Sequence, residues 1–188
     1  MKDALINRRE FLRNLGVIGA GALLSMSPWL SAFSEVVETS GEKCRLAIIG
    51  TGSRGRFLMS FLLQNPKVEI VALCDIYQPS MEKALNLVRE AKVYTDYRKV
   101  LENKTVDAVL VATPLNLHCQ IVLDAFDAGK HVFCEKSIGF TMEECFRIYK
   151  KHISTGKVFF TGQQRLFDPR YTKINATVSH KRQTLETR

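Results

Sequence analysis

The sequence predicts an α/β fold, a doubly wound parallel sheet with helices on both faces. Three observations predict it. Short apolar runs, of the kind buried on both faces of a parallel sheet, recur between Cys44 and Thr161. Segments with helical spacing separate them, the alternation that builds βαβ units. The first apolar run ends in a glycine-rich loop that opens the first helix.

The elements follow in order. Arg45-Leu46-Ala47-Ile48-Ile49 reads as a strand stopped by Gly50, and a helix over 54–64 carries Phe57, Leu58, Phe61 and Leu62 at helical spacing. Asn65-Pro66 ends that helix, because proline disfavours helical backbone in the residue before it. Val68 to Cys74 is a second strand, followed by a helix over 79–89, a short strand at Val93-Tyr94 and a short helix over 97–101. Ala108 to Ala112 is a strand of the fully buried kind; the helix after it spans 117–128 and stops at Gly129, a suitable residue for a left-handed helix end. His131 to Cys134 is the fifth strand. A helix over 141–154 is capped by Thr141, with Glu143 and Glu144 in its first turn, and Val158 to Thr161 is the sixth strand.

Gly50, Gly52 and Gly55 satisfy G-x-G-x-x-G in the loop Gly50-Thr51-Gly52-Ser53-Arg54-Gly55, between a buried strand and a helix. The first glycine permits the tight turn, the second lets a pyrophosphate approach the backbone, and the third lets helix and strand pack closely. The helix then turns its free N–H groups and positive dipole end toward the phosphates. This is the Rossmann arrangement for a nicotinamide dinucleotide. Asp75 closes the second strand, where a carboxylate can accept hydrogen bonds from both hydroxyls of the adenosine ribose and would repel a 2′-phosphate. NAD is therefore favoured; Arg54, within reach of a phosphate, keeps NADP open. The same Asp75 carboxylate can serve as an N-cap or turn residue.

With 188 residues the chain has room for one ordinary domain. Its net charge of +8 is concentrated at the ends: residues 1–34 contribute +2, residues 165–188 contribute +4, and the long stretch between them only +2. A nucleic-acid surface needs a basic stripe on the folded body, and none is visible. Five cysteines without a CxxC pair give no zinc spacing, and Cys44, Cys74 and Cys134 at strand edges read as buried free thiols.

Residues 1–34 read as an export signal. Arg8-Arg9 precede Phe11-Leu12-Arg13, a weakly apolar glycine-rich stretch follows, and Ala32-Phe33-Ser34 offers a small-x-small cleavage site. The paired arginines resemble a Tat signal, which exports proteins already folded around their cofactors and implies a bacterial periplasmic location. An uncleaved amphipathic anchor is the other reading of this segment. The apolar stretch is too short for a stable membrane span, so none is expected after cleavage. Residues 35–43 are a polar linker, 44–171 the dinucleotide domain, and 172–188 a basic, aperiodic tail expected to be disordered.

Several segments together resemble the Gfo/Idh/MocA oxidoreductase family: the loop Gly50–Gly55, Cys74-Asp75, Ala112-Thr113-Pro114-Leu115-Asn116-Leu117-His118, Gly129-Lys130-His131-Val132-Phe133-Cys134-Glu135-Lys136 and Gly162-Gln163-Gln164-Arg165. The resemblance runs from about Cys44 to Tyr171. It implies that Thr113 and Pro114 line the adenosine and ribose side, that Asn116 and His118 lie near the cofactor, and that Glu135-Lys136 match a Glu-Lys-Pro motif. In that motif the lysine reaches the nicotinamide ribose and the substrate, where a cation can polarise an alcohol or carbonyl oxygen. His118 by its position is also a cap-region residue, and Lys136 also reads as a surface lysine. Ser137 stands where the family usually has proline. Members continue into a second domain that builds the substrate pocket and supplies a catalytic histidine, so a chain ending at Arg188 reads as a truncated product with little turnover. The implied activity is oxidation of a sugar, polyol or derivative. Two alternatives stay open: a glycosidase that uses bound NAD transiently, and a non-catalytic cofactor-binding domain. Association with further copies is also left open.

Overall fold

The computed structural model describes residues 43–163. The export leader, all of the linker but Lys43, the stretch from Gln164 to Tyr171 and the tail lie outside the described residues.

The described elements are β1 (Cys44–Ile49), α1 (Ser53–Leu62), β2 (Val68–Cys74), α2 (Gln78–Leu85), β3 (Lys92–Tyr94), α3 (Tyr97–Glu102), β4 (Ala108–Val111), α4 (Leu115–Asp127), β5 (His131–Cys134), α5 (Met142–Thr155) and β6 (Phe159–Thr161). The strands form one sheet in the order β3-β2-β1-β4-β5-β6, and every pair is parallel. The order reverses between β1 and β4, which opens a crevice at their carboxyl ends where such sheets take ligands.

Burial explains why these runs are strands without alternation. Leu46, Ala47, Ile48, Val109, Leu110 and Val111 are almost wholly covered, because helices occupy both faces of the sheet. Each large aliphatic side chain removed from water contributes about 1.5–3 kcal/mol. Farther along, Phe133 stacks on Phe160 at 5.9 Å, so β6 is fastened to β5 through its side chains as well as its ladder.

Helix ends depart slightly from expectation. α2 stops at Leu85, before the expected 89, and residues 86–91 continue as successive three-residue turns. Arg89 and Glu90 are both exposed and give that stretch no apolar face to keep it helical. α4 begins at Leu115 because Pro114, with φ −56°, already has the geometry that leads into a helix. α5 carries a capping box in which Thr141 accepts from the Glu144 N–H and the Glu144 carboxylate reaches back to the Thr141 N–H.

Candidate cofactor site

The ladder continues one residue past most strands, and this builds the rim of the site. The N–H of Asp75 donates to Tyr94 O, that of Gly50 to Cys74 O, Ala112 to Ile49 O, Glu135 to Val111 O and Gly162 to Cys134 O. Asp75, Gly50, Ala112, Glu135 and Gly162 therefore stand in a row along the carboxyl edge.

The three glycines of the loop have separate steric reasons. Gly50 has φ +95°, and a Cβ there would lie 2.6 Å from the Ala112 carbonyl. A Cβ on Gly55 would fall 2.0 Å from Gly50 O, so helix and strand touch backbone to backbone. A Cβ on Gly52 would meet nothing within 4 Å. The protein does not use that space.

Gly52 is also the N-cap of α1, and no side chain caps that helix or places an acid in its first turn. α5, by contrast, has both. An uncapped positive end beside an open glycine is what an anionic pyrophosphate needs. At the neighbouring β4 terminus the Thr113 hydroxyl is buried without a hydrogen-bond partner among the described residues. A buried hydroxyl left unpaired is costly, and a ligand hydroxyl or phosphate would satisfy it. The residues present thus fit a dinucleotide.

Asp75 lies at the rim as expected, with its carboxylate already engaged. Oδ2 accepts from Thr51 N at 2.7 Å and Thr51 Oγ1 at 3.0 Å, and Oδ1 accepts from Tyr77 N at 2.9 Å. It is both the turn residue and the brace of the loop, with lone pairs left for a ribose. Arg56, which no sequence signal singled out, holds the other side of Thr51 through Nη1 to Thr51 O at 2.6 Å.

Arg54 points away from a phosphate role. Its Nε and Nη2 lie 2.6 and 2.5 Å from Glu135 Oε1, and its guanidinium covers the Phe57 ring at 5.2 Å. Glu135 is buried, and its Oε2 accepts from the Lys136 N–H at 3.0 Å. The Lys136 side chain is exposed just beyond, and the Lys136–Ser137 peptide is cis. His118 is buried inside α4, its Nδ1 2.6 Å from Ser137 O and its Nε2 2.8 Å from Thr113 O. Ser53, Pro114 and Asn116 are exposed along the crevice.

Thiol chemistry has no support at this rim. Burial, with Asp75 and Asp96 beside it, pushes the Cys74 thiol up to about 12, and burial with Glu135 raises Cys134 further. Such thiols are not nucleophiles at neutral pH. Among the described residues no cluster of His, Cys, Asp or Glu is placed to hold a metal ion, and no helix is long and apolar enough to cross a membrane.

Comparison with known proteins agrees with this geometry. The family model described as "Oxidoreductase family, NAD-binding Rossmann fold" (GFO_IDH_MocA) matches residues 44–163. A "Glycosyl hydrolase family 109 protein" of Stenotrophomonas maltophilia is 34% identical over 163 residues, 80% of this chain and 34% of that protein. The structure of myo-inositol 2-dehydrogenase from Lactobacillus plantarum has a TM-score of 0.68 at 28% identity, covering 74% of this chain and 42% of that one. The myo-inositol dehydrogenase of Lactobacillus casei, in complex with NAD(H) and myo-inositol, has a TM-score of 0.61 at 33% identity, covering 64% and 36%. The chain spans about a third of the length of the curated relatives it matches. It belongs to the Gfo/Idh/MocA oxidoreductase family, and residues 44–163 are its NAD-binding Rossmann domain.

Proposed function

We propose that this domain is the cofactor-holding part of an exported oxidoreductase acting on a sugar, a polyol or a derivative of one. The observation that carries the reading is the open space at Gly52, in the same loop as Gly50, which abuts Thr113 with its unpartnered buried hydroxyl. The loop N–H groups and the α1 terminus bind the pyrophosphate, and Asp75 receives the adenosine ribose. Thr113, Pro114 and Asn116 line the crevice between. Bound NAD supplies the hydride acceptor. The exposed Lys136 ammonium, at the far side of the rim, orients the substrate oxygen and favours loss of its proton. The substrate-facing wall is left to residues outside 43–163, so the described domain alone binds cofactor and turns over little.

A second reading is favoured by the names of two relatives, the family 109 glycosyl hydrolase protein and an alpha-N-acetylgalactosaminidase of Shewanella oneidensis, 30% identical over 165 residues. In that reading bound NAD is reduced and reoxidised within one glycoside cleavage. Calorimetric titration with NAD and NADH tests the shared premise: micromolar binding is expected, and no heat with either sinks both readings. The full-length protein separates them. Glycoside release without added cofactor selects the glycosidase, and substrate-dependent NADH formation selects the dehydrogenase. For export, the expected outcome is a periplasmic protein whose mass lacks residues 1–34, and cytoplasmic retention when Arg8 and Arg9 both become Lys; a periplasmic protein in that variant overturns the Tat assignment.

A further inference from the structure

We propose that Glu135 is a positioning residue, and that Arg54 screens its charge from the cofactor instead of binding phosphate. The proposal rests on the cofactor reading above. Glu135 is 5% exposed, yet it carries a carboxylate at the rim where a dianionic pyrophosphate is to lie. An anion buried there would repel the ligand unless neutralised. Arg54, on the first turn of α1, neutralises it by placing Nε and Nη2 on the single oxygen Oε1. The other oxygen, Oε2, holds the Lys136 main chain. One carboxylate therefore fixes a cation beside the phosphate loop and the backbone of the residue that faces the substrate.

Gly162 completes the arrangement. A Cβ at that position would lie 2.9 to 3.0 Å from the carboxylate atoms of Glu135, so the side chain lies flat against the β6 terminus and has no room to turn. The glycine that follows β6 is needed for the space it leaves, and its φ lies outside the left-handed region. Phe57 under the guanidinium limits Arg54 in the same way.

The test compares NAD with ADP-ribose, which keeps the pyrophosphate and lacks the nicotinamide, on the full-length protein. Arg54→Met should weaken ADP-ribose by about tenfold, since it leaves the carboxylate unscreened; that is about 1.4 kcal/mol. Arg54→Met combined with Glu135→Gln should recover most of that loss, to within about threefold of the parent. If the double variant binds as weakly as Arg54→Met, Arg54 is itself a phosphate ligand and the screening role is overturned. For the positioning role, Glu135→Gln should weaken NAD more than ADP-ribose, by about fivefold or more, because the Lys136 segment contacts only the nicotinamide side. Equal losses for both ligands would reduce Glu135 to a purely structural group. Gly162→Ala, which alters no charge, should show the same preferential loss of NAD, and it keeps the question answerable if Glu135→Gln does not fold. Failure of the unsubstituted protein to bind either ligand is a different result, and it overturns the cofactor reading itself.

Discussion

His118, inside α4, ties two loops of the site together: its Nδ1 lies 2.6 Å from the Ser137 carbonyl while Nε2 lies 2.8 Å from that of Thr113. The carboxyl ends of β4 and β5 are thereby joined through one ring. Both ring nitrogens face main-chain carbonyls, so His118 acts on the site through the loops. His118→Ala removes a buried ring and leaves unpaired the carbonyl to which its ring N–H donates, a loss of about 2–4 kcal/mol. Urea unfolding measures it. A loss below about 1 kcal/mol would show that the ring braces nothing.

The glycines divide into two classes that substitution separates. Gly55→Ala drives a methyl to 2.0 Å from Gly50 O, so it should cost several kcal/mol of stability and lose cofactor binding with it. Gly52→Val meets no protein atom within 4 Å of its Cβ. Its melting temperature should stay within a few degrees of the parent while NAD affinity falls by tenfold or more, about 1.4 kcal/mol. Unchanged affinity in this variant would mean that the open space is not where the pyrophosphate lies.

Asp75 has two jobs, and Asp75→Ala should reveal both. The Thr51 N–H and hydroxyl lose their acceptor, so NAD affinity drops. The repulsion of a 2′-phosphate disappears as well, so the ratio of NADP to NAD affinity should rise by about tenfold. Parallel titrations with the two cofactors give the ratio directly. A ratio that does not move identifies Asp75 as a turn residue alone.

Much of this architecture is legible in the sequence, for identifiable reasons. Strands buried on both faces must be continuous apolar runs, so β1, β4 and β5 stand out by composition alone. Gly50, Gly52 and Gly55 are legible because strand, turn and helix follow one another locally. What escaped was non-local pairing. Nothing in the spacing connects Arg54 with Glu135, which are 81 residues apart, or explains why Gly162 faces that carboxylate. Arg54 was expected to look toward a phosphate because its loop does; the side chain instead follows the nearest buried anion. A glycine immediately after an apolar strand at the rim was the one available hint of Gly162's role.

The other end of the sheet carries a pH dependence of its own. His131 accepts from the Val158 N–H at Nδ1, 3.0 Å away, which requires that nitrogen to be unprotonated. Burial, assisted by the nearby Lys157 charge and opposed by Asp107, lowers its pKa from 6.5 to about 4. The unfolded chain therefore binds a proton between those values that the folded chain refuses, and stability rises with pH across that window. The contribution is complete above about pH 6.5 and is lost as the pH falls toward 4, with a ceiling on the order of 3 kcal/mol. Asp107 acts lower. Its burial is outweighed by its hydrogen bonds to Arg45 and the charges of Arg45 and Lys130, so its carboxyl sits below its ordinary 3.8 and its stabilising effect fades only in stronger acid. His131→Asn keeps an acceptor for Val158 and cannot titrate. Urea midpoints taken at about pH 7.5 and about pH 4.5 should fall steeply for the parent and much less for this variant. Equal slopes in the two proteins would remove His131 as the source.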